Sequence, residues 1–307
     1  MHTGFFTHGQ CAAHEMGSWH PESPERLAAV HDHLIAVGLL PHLLPFDAPQ
    51  ADLDAIARAH DRGYIERLRS RVPKQGYEPV DPDTSMNPCS WDAALYAAGA
   101  VVSATDLVVR GEIDNAFCAV RPPGHHACRA AAMGFCFFNN VAIGALHAIH
   151  AHGLQRVAVI DFDVHHGNGT EDILAGNGRV LMASFFQHPF YPYSGTDFAA
   201  DNMVNVPVPA GTRGDVVREL VQAQWLPRLE AFAPEMIFIS AGFDAHREDD
   251  LGQMGLVESD YAWITQQLMD VAGRHSKGRI VSTLEGGYNL SSLARSVAAH
   301  VRTLAQL

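Results

Sequence analysis

The sequence predicts an α/β protein built on a parallel sheet. Three observations carry this. Five short apolar runs rich in branched side chains are spread along the chain, stretches with helical periodicity separate most of them, and no linker, repeat or low-complexity tract divides the 307 residues. Short uninterrupted apolar runs are what strands buried on both faces look like. Strands separated by helices return to the same sheet edge-on and parallel. Ligands of such sheets bind beyond the carboxyl ends of the strands, so the residues following each run are where chemistry is sought.

The elements follow in order. Ser23-Pro24 opens a helix through Arg26, Leu27 and Val30 that ends near Gly38, with Ser as N-cap and Pro at the first helical position. Ser90 caps a second helix, Trp91 to Arg110, closed by Gly111. The run Ala116–Val120 is the first strand expected, followed by a helix over Asn140–His152 and strands over Arg156–Phe162 and Val180–Phe185. A helix over Gly214–Phe232, a strand over Met236–Ser240, a helix over Ser259–Arg274, a strand over Arg279–Leu284 and a helix over Ser291–Ala305 complete the pattern.

Composition narrows the function classes. Hydrophobic residues make up 47% of the chain, enough for a sizeable core. No stretch is expected to match the roughly 20 apolar residues of a membrane span, and Met1-His2-Thr3-Gly4 lacks the basic start and apolar run of a signal peptide. A cytoplasmic protein is expected. The formal net charge of −13 argues against direct nucleic-acid or anionic-membrane binding and suits a cationic substrate. Five cysteines (Cys11, Cys89, Cys118, Cys128, Cys136), with no C-x-x-C, read as reduced and mostly buried thiols. The 19 histidines stand out, since imidazole is both the commonest metal ligand and the usual general base.

Polar residues gather at the strand tips. After Arg156–Ile160 comes Asp161-Phe162-Asp163-Val164-His165-His166-Gly167-Asn168-Gly169. Strand alternation puts Asp161, Asp163 and His165 on one face. Two carboxylates and an imidazole at a buried strand end are costly without a cation. After Met236–Ser240 comes Ala241-Gly242-Phe243-Asp244. Asp163, His165 and Asp244 then make a three-ligand site with an open position, the layout of a catalytic rather than a structural metal. The donor set suits Zn²⁺ best, with Fe²⁺, Mn²⁺ and Co²⁺ as alternatives. After Ala116–Val120 comes Arg121-Pro122-Pro123-Gly124-His125-His126, a tandem pair for general base and acid work. Each imidazole needs a partner to fix its tautomer, and Asp161 and Asn168 are the nearest candidates. After Arg279–Leu284 comes Glu285-Gly286-Gly287-Tyr288-Asn289, where a hydroxyl on a flexible Gly turn can donate to a developing oxyanion.

These four segments, in this order, resemble the histone deacetylase superfamily from about His14 to Tyr288. The resemblance implies an arginase-like single catalytic domain over residues 1–307, with a central parallel sheet of about eight strands flanked by helices. It implies a zinc-dependent deacetylase that removes acetyl or another short acyl group from a lysine-like amine. Asp163, His165 and Asp244 match the ligands of one Zn²⁺ per chain. His126 matches the general base. His125 matches its partner, kept charged by Asp161, and Tyr288 matches the carbonyl-polarising residue. Gly134-Phe135-Cys136 matches the acyl-lysine tunnel, with Phe135 as one wall and Phe190 or Tyr191 as the other. Asp83 falls where some members hold substrate backbone at the rim, and Arg26 matches an arginine near an internal acetate channel. Asp161 and Ser184, with backbone carbonyls, match a K⁺ site. Asn168, beside His126, is the class II residue where class I has Asp.

Polyamine-selective members carry Glu where this chain has Leu251, before Gly252-Gln253-Met254, although Glu248, Asp249 and Asp250 lie close by. The expected partner is therefore a small-molecule or peptide acyl-amine. An acetylpolyamine amidohydrolase is the alternative, and a catalytically weak acyl-lysine or metabolite binding module a further one. A binuclear arginase-type enzyme is disfavoured by Asn168 and the tandem His. A homo-oligomer is compatible with the sequence and not required by it.

Overall fold

A computed structural model describes residues 1–197 and 200–307. The chain enters through β1 (Thr3–Thr7), α1 (Glu25–Ala36) and β2 (Leu44–Asp47). The short helices α2 (Leu53–Ile56) and α3 (Arg62–Ser70) precede a hairpin of β3 (Glu78–Asp81) and β4 (Thr84–Met86). The chain then runs through α4 (Ser90–Arg110), β5 (Asn115–Cys118), α5 (Asn140–Ala151), β6 (Val157–Asp161), α6 (Asn168–Leu174), β7 (Val180–Gln187) and β8 (Met203–Val208). It closes with α7 (Gly214–Leu220), α8 (Leu226–Phe232), β9 (Met236–Ala241), α9 (Glu258–His275), β10 (Ile280–Leu284) and α10 (Leu290–Leu304).

Eight strands form one parallel sheet in the order β2-β1-β5-β10-β9-β6-β7-β8. Alternation along each strand feeds a core on either face. Val157 and Val159 join the core under α4 and α5, whereas Ala158 and Ile160 join the one holding Trp225, Leu268 and Val301 from α9, α10 and the α7–α8 region. The register pairs Cys118 with Thr283, Thr283 with Ser240, and Ser240 with Asp161. The carboxyl ends of the four central strands β5, β10, β9 and β6 are therefore level and adjacent, and each hands its next residues to one site.

All five expected strands are present, with ends moved by up to two residues. The other three, β1, β2 and β8, lie toward the sheet margins. Pro45 and Pro207 interrupt β2 and β8, which is tolerated because both are edge strands. The helix expected over Gly214–Phe232 is broken by a π turn at Val221–Trp225, just before Pro227, whose missing N–H disfavours an unbroken α ladder. Two caps differ from expectation. Helix α1 starts at Glu25 with Pro24 in the cap position, and Ser90 is the first residue of α4 rather than its cap. The Asn87 side chain takes the capping role there, accepting from Cys89 N at 3.1 Å and from the Ser90 hydroxyl at 2.9 Å. The expectation about apolar stretches is also corrected: the 21-residue helix α4 is long and apolar enough to cross a membrane by length and composition. Its Ala97, Ala98, Val101, Ala104 and Val108 are buried in the core. Cys11, Cys118 and Cys136 are buried free thiols, and Cys89 and Cys128 are half-buried.

Candidate active site

Strand β6 stops at Asp161, so the alternation expected to align Asp161, Asp163 and His165 holds only to the strand end. Asp161 turns to His125, while Asp163 and His165 meet Asp244 from the end of β9, with ligand atoms all within 4.8 Å of one another. The His165 Nδ1 lies 3.0 Å from Asp163 Oδ1 and 3.2 Å from Asp244 Oδ2. Asp244 Oδ2 is buried and has no well-directed hydrogen-bond donor. Burial opposes a charged His165, yet its bonds to the two carboxylates raise its pKa to about 10. Burial and the Asp163 charge raise Asp244 to about 7. The pair thus stabilises positive charge at one enclosed point, as a cation site requires. Gly286 makes room for it: a Cβ there would stand 2.0 Å from Asp244 Oδ2 and 2.6 Å from Asp163 Oδ2. The Gly286 N–H donates to Asp163 Oδ2 at 2.9 Å.

Beside this cluster the two tandem histidines are held differently. His125 Nδ1 donates to Asp161 Oδ2 at 2.9 Å, and His126 Nδ1 donates to Asn168 Oδ1 at 2.7 Å. These are the two partners the sequence suggested. The Asn168 amide nitrogen donates to Met133 Sδ at 3.2 Å and Cys128 Sγ at 3.5 Å, which fixes which end of the amide faces His126. Burial works against charge on both rings, but for His125 the Asp163 and Asp161 carboxylates outweigh it and hold the pKa well above the usual range. For His126, burial followed by repulsion from His125 and His165 pushes it well below. Two neighbouring imidazoles driven apart in this way can divide acid and base roles.

A pocket of about 330 Å³ opens onto His126, His165 and Tyr288. Its walls include all six residues expected to bind substrate: Asp83, Gly134, Phe135, Phe190, Tyr191 and Leu251. Phe190 stacks on the His165 ring at 5.5 Å, and Tyr191 stands edge-on to His126 at 5.3 Å, so both candidates for the second wall contribute. Phe135 meets Tyr288 edge-on at 5.9 Å. Asp83, in the β3–β4 turn, accepts from Gly134 N at 3.1 Å. Gly134 has a φ of +58°, and a Cβ there would come within 2.4 Å of the His126 ring, so only glycine suits the position. Cys136 is buried behind this wall.

Several residues in or behind the site had no role in the sequence reading. Glu285 is fully buried, and its Oε2 accepts from Gly124 N at 2.6 Å and His125 N at 3.0 Å, anchoring the tandem-histidine loop to β10. Asp249 accepts from the Tyr288 and Asn289 amides at 2.6 and 3.0 Å. Asp250 and Gln253 line the pocket. Arg26, which the resemblance places near an internal channel, is fully buried. Its Nε donates to Gly287 O at 2.7 Å and its Nη1 to Glu22 Oε1 at 3.0 Å, with the guanidinium 5.0 Å from the Tyr288 ring. Glu22 also pairs with Arg121, and despite burial the two guanidiniums of Arg121 and Arg26 hold its pKa at about 2. Ser184 lies opposite Asp161 in the β6–β7 register, and its hydroxyl reaches Asn205 Oδ1 at 3.5 Å. An acidic residue directly after a buried strand was the one available signal for Glu285. It is the same signal that marked Asp161.

Comparison with known proteins returns one family. The description "Histone deacetylase domain" matches residues 20–304. The histone deacetylase-like amidohydrolase of Pseudomonas aeruginosa is 38% identical over 277 residues, covering 88% of this chain and 73% of that protein. The polyamine deacetylase HDAC10 of Homo sapiens is 37% identical over 301 residues, covering 92% of this chain and 44% of that protein, so the chain spans less than half of that relative. The crystal structure of the HDA15 HD domain matches with a TM-score of 0.94 at 34% identity, covering 99% of this chain and 90% of that one.

Proposed function

The chain belongs to the histone deacetylase family, and from that premise we propose that residues 1–307 form one catalytic domain that hydrolyses an acyl-amide using a single Zn²⁺ held by Asp163, His165 and Asp244. The carrying observation is the joint placement of this cluster and the oppositely driven His125–His126 pair on one narrow pocket. Two buried carboxylates, an imidazole and an orphaned Asp244 oxygen fit a Lewis-acidic divalent ion. Such an ion supplies an acidified water and a polarised acyl carbonyl.

The residues of the chain do the rest. His126, kept neutral by burial and by the nearby His125 and His165, has its Nδ1–H committed to Asn168, which leaves Nε2 free to accept the proton of the attacking water. His125, charged against Asp161, favours a negative transition state nearby and backs proton return to the leaving amine. Tyr288 donates its hydroxyl to the developing oxyanion. Burial keeps that phenol protonated by raising its pKa well above the usual range. Phe135, Phe190 and Tyr191 exclude water around an aliphatic stem. Asp161 and Ser184, neighbours in register, are assigned to K⁺ together with nearby carbonyls.

The substrate is read as an acyl-lysine. Leu251 lines the pocket where a cation-selecting Glu would stand. Of the acids close to it, Glu248 pairs with Arg295 at 2.8 Å and Asp249 is spent on backbone amides. Asp250 alone faces the pocket, and with Asp83 it supports acetylpolyamines as the second reading. The test compares kcat/KM of the Zn²⁺-loaded protein for an acetyl-lysine peptide and for N-acetylputrescine, with His126→Ala as the blank. Preference for the peptide supports the first reading and preference for the diamine the second. No turnover of either by a zinc-loaded chain removes both.

A further inference from the structure

On the far side of the pocket loop lies a larger cleft, of about 710 Å³, lined by Arg213, Arg218 and Arg247 with Asp215 and Asp260. Arg218 is already engaged: it pairs with Asp260 at 2.8 Å and lies 5.4 Å from the centre of the Trp263 ring. Asp260 in turn accepts from Val257 N at 3.0 Å. That leaves Arg213, Arg247 and Asp215, whose side chains make no ion pair or side-chain hydrogen bond among the described residues. Arg213 and Arg247 are both exposed and both line this cleft, against the sign of a chain with net charge −13. Gly255 beneath them lets the Arg213 stem lie close, since a Cβ there would stand 3.1 Å from Arg213 Cγ. Paired planar guanidiniums match the oxygens of a phosphate group.

We propose that this cleft binds a phosphate-bearing anion through Arg213 and Arg247, and that its occupancy is felt in the pocket. The link is covalent and short. Arg247 and Gly255 line the cleft, whereas Leu251 and Gln253 of the same loop line the pocket. The loop is pinned as a unit: Arg247 N donates to Leu256 O at 2.9 Å, Gly255 N to Thr212 O at 2.8 Å, and Gly211 N to Gln253 O at 2.7 Å. Asp249, between the two faces, holds the Tyr288 amide. A ligand that draws Arg213 toward Arg247 therefore shifts the Leu251–Gln253 wall, a coupling of two separate sites.

The experiment measures ³¹P line broadening of inorganic phosphate by the full chain, with chloride at equal ionic strength as the control. The wild type, Arg213→Gln/Arg247→Gln and Asp215→Asn are compared, so that binding is read without any turnover. The proposal expects the double variant to bind at least ten-fold more weakly and Asp215→Asn to bind more tightly. Because Asp215→Asn predicts a gain, the test survives a double variant that fails to fold. It also expects phosphate to change KM for an acetyl-lysine peptide in the wild type and not in the double variant. Equal broadening in all three proteins, or none in the wild type, overturns the site. Binding lost in the double variant without any change of KM in the wild type overturns the coupling.

Discussion

His125 and His126 are neighbours in sequence with opposite assignments, and partners from other elements decide which is which. The Asp163 and Asp161 carboxylates favour charge on His125, while burial and the neighbouring rings keep His126 neutral and Asn168 fixes which of its nitrogens carries the proton. Two predictions belong to single residues. Tyr288→Phe should lower kcat about a hundred-fold or more, the scale of losing one oxyanion donor, with KM for an acetyl-lysine peptide little changed. An unaltered kcat would remove Tyr288 from the chemistry. Gly286→Ala should abolish stoichiometric metal binding, because its methyl would enter the space between Asp163 and Asp244. Elemental analysis showing one metal per chain in a folded Gly286→Ala protein would contradict the cluster. The residues in these predictions were legible because each follows a buried strand, where a polar side chain has to answer for its desolvation. Glu285 obeyed the same rule and was passed over. Glu22 and Asp249 lie in loops, and only tertiary contacts reveal their partners.

At the level of elements, the loop before α1, the tandem-histidine loop after β5 and the Tyr288 loop after β10 are tied by one buried charge network. Glu22 is its hub, bonded to Arg26 and Arg121, with His14 at 3.5 Å. Removing one partner of a buried ion pair leaves the others uncompensated, so Glu22→Ala should destabilise the fold by about 3–5 kcal/mol, read from urea unfolding. A loss below about 1 kcal/mol, the range of exposed pairs, would mean the network is solvated. Arg26 shares the buried face of α1 with Val30 and Leu34, but the carbonyls that hold it, on Glu285 and Gly287 more than 250 positions away, are set by tertiary contact and not by sequence spacing. Five of the six inner strands were legible from apolar runs. The edge strands β2 and β8 were not, because an edge accepts Pro and polar residues that an inner strand cannot, and the inner β1 is only five residues with Thr at both ends.

The whole molecule is a sheet sealed by two cores, and sealed groups titrate with folding. His300 sits between Thr265 and Ser282, and burial alone lowers its pKa from 6.5 to about 3. It stays neutral when folded, whereas the unfolded chain protonates it below 6.5. Its contribution is thus intact above that value and is lost as pH falls toward 3, by up to about 1.4 kcal/mol per pH unit. His300→Gln should flatten the fall in unfolding free energy between pH 6.5 and 4.5, and an unchanged slope would mean that His300 is already protonated in the fold. The fold brings Asp163 and His165, after β6, together with Asp244, after β9, and one ion bound there should permit amide hydrolysis. The most direct measurement strips the purified chain of metal, titrates Zn²⁺ back and follows hydrolysis of an acetyl-lysine peptide, alongside Asp163→Ala and Asp244→Ala. Activity rising to a plateau at one equivalent, and absent in both variants, is the predicted result. Turnover by the stripped chain, or full activity in either variant, would contradict it.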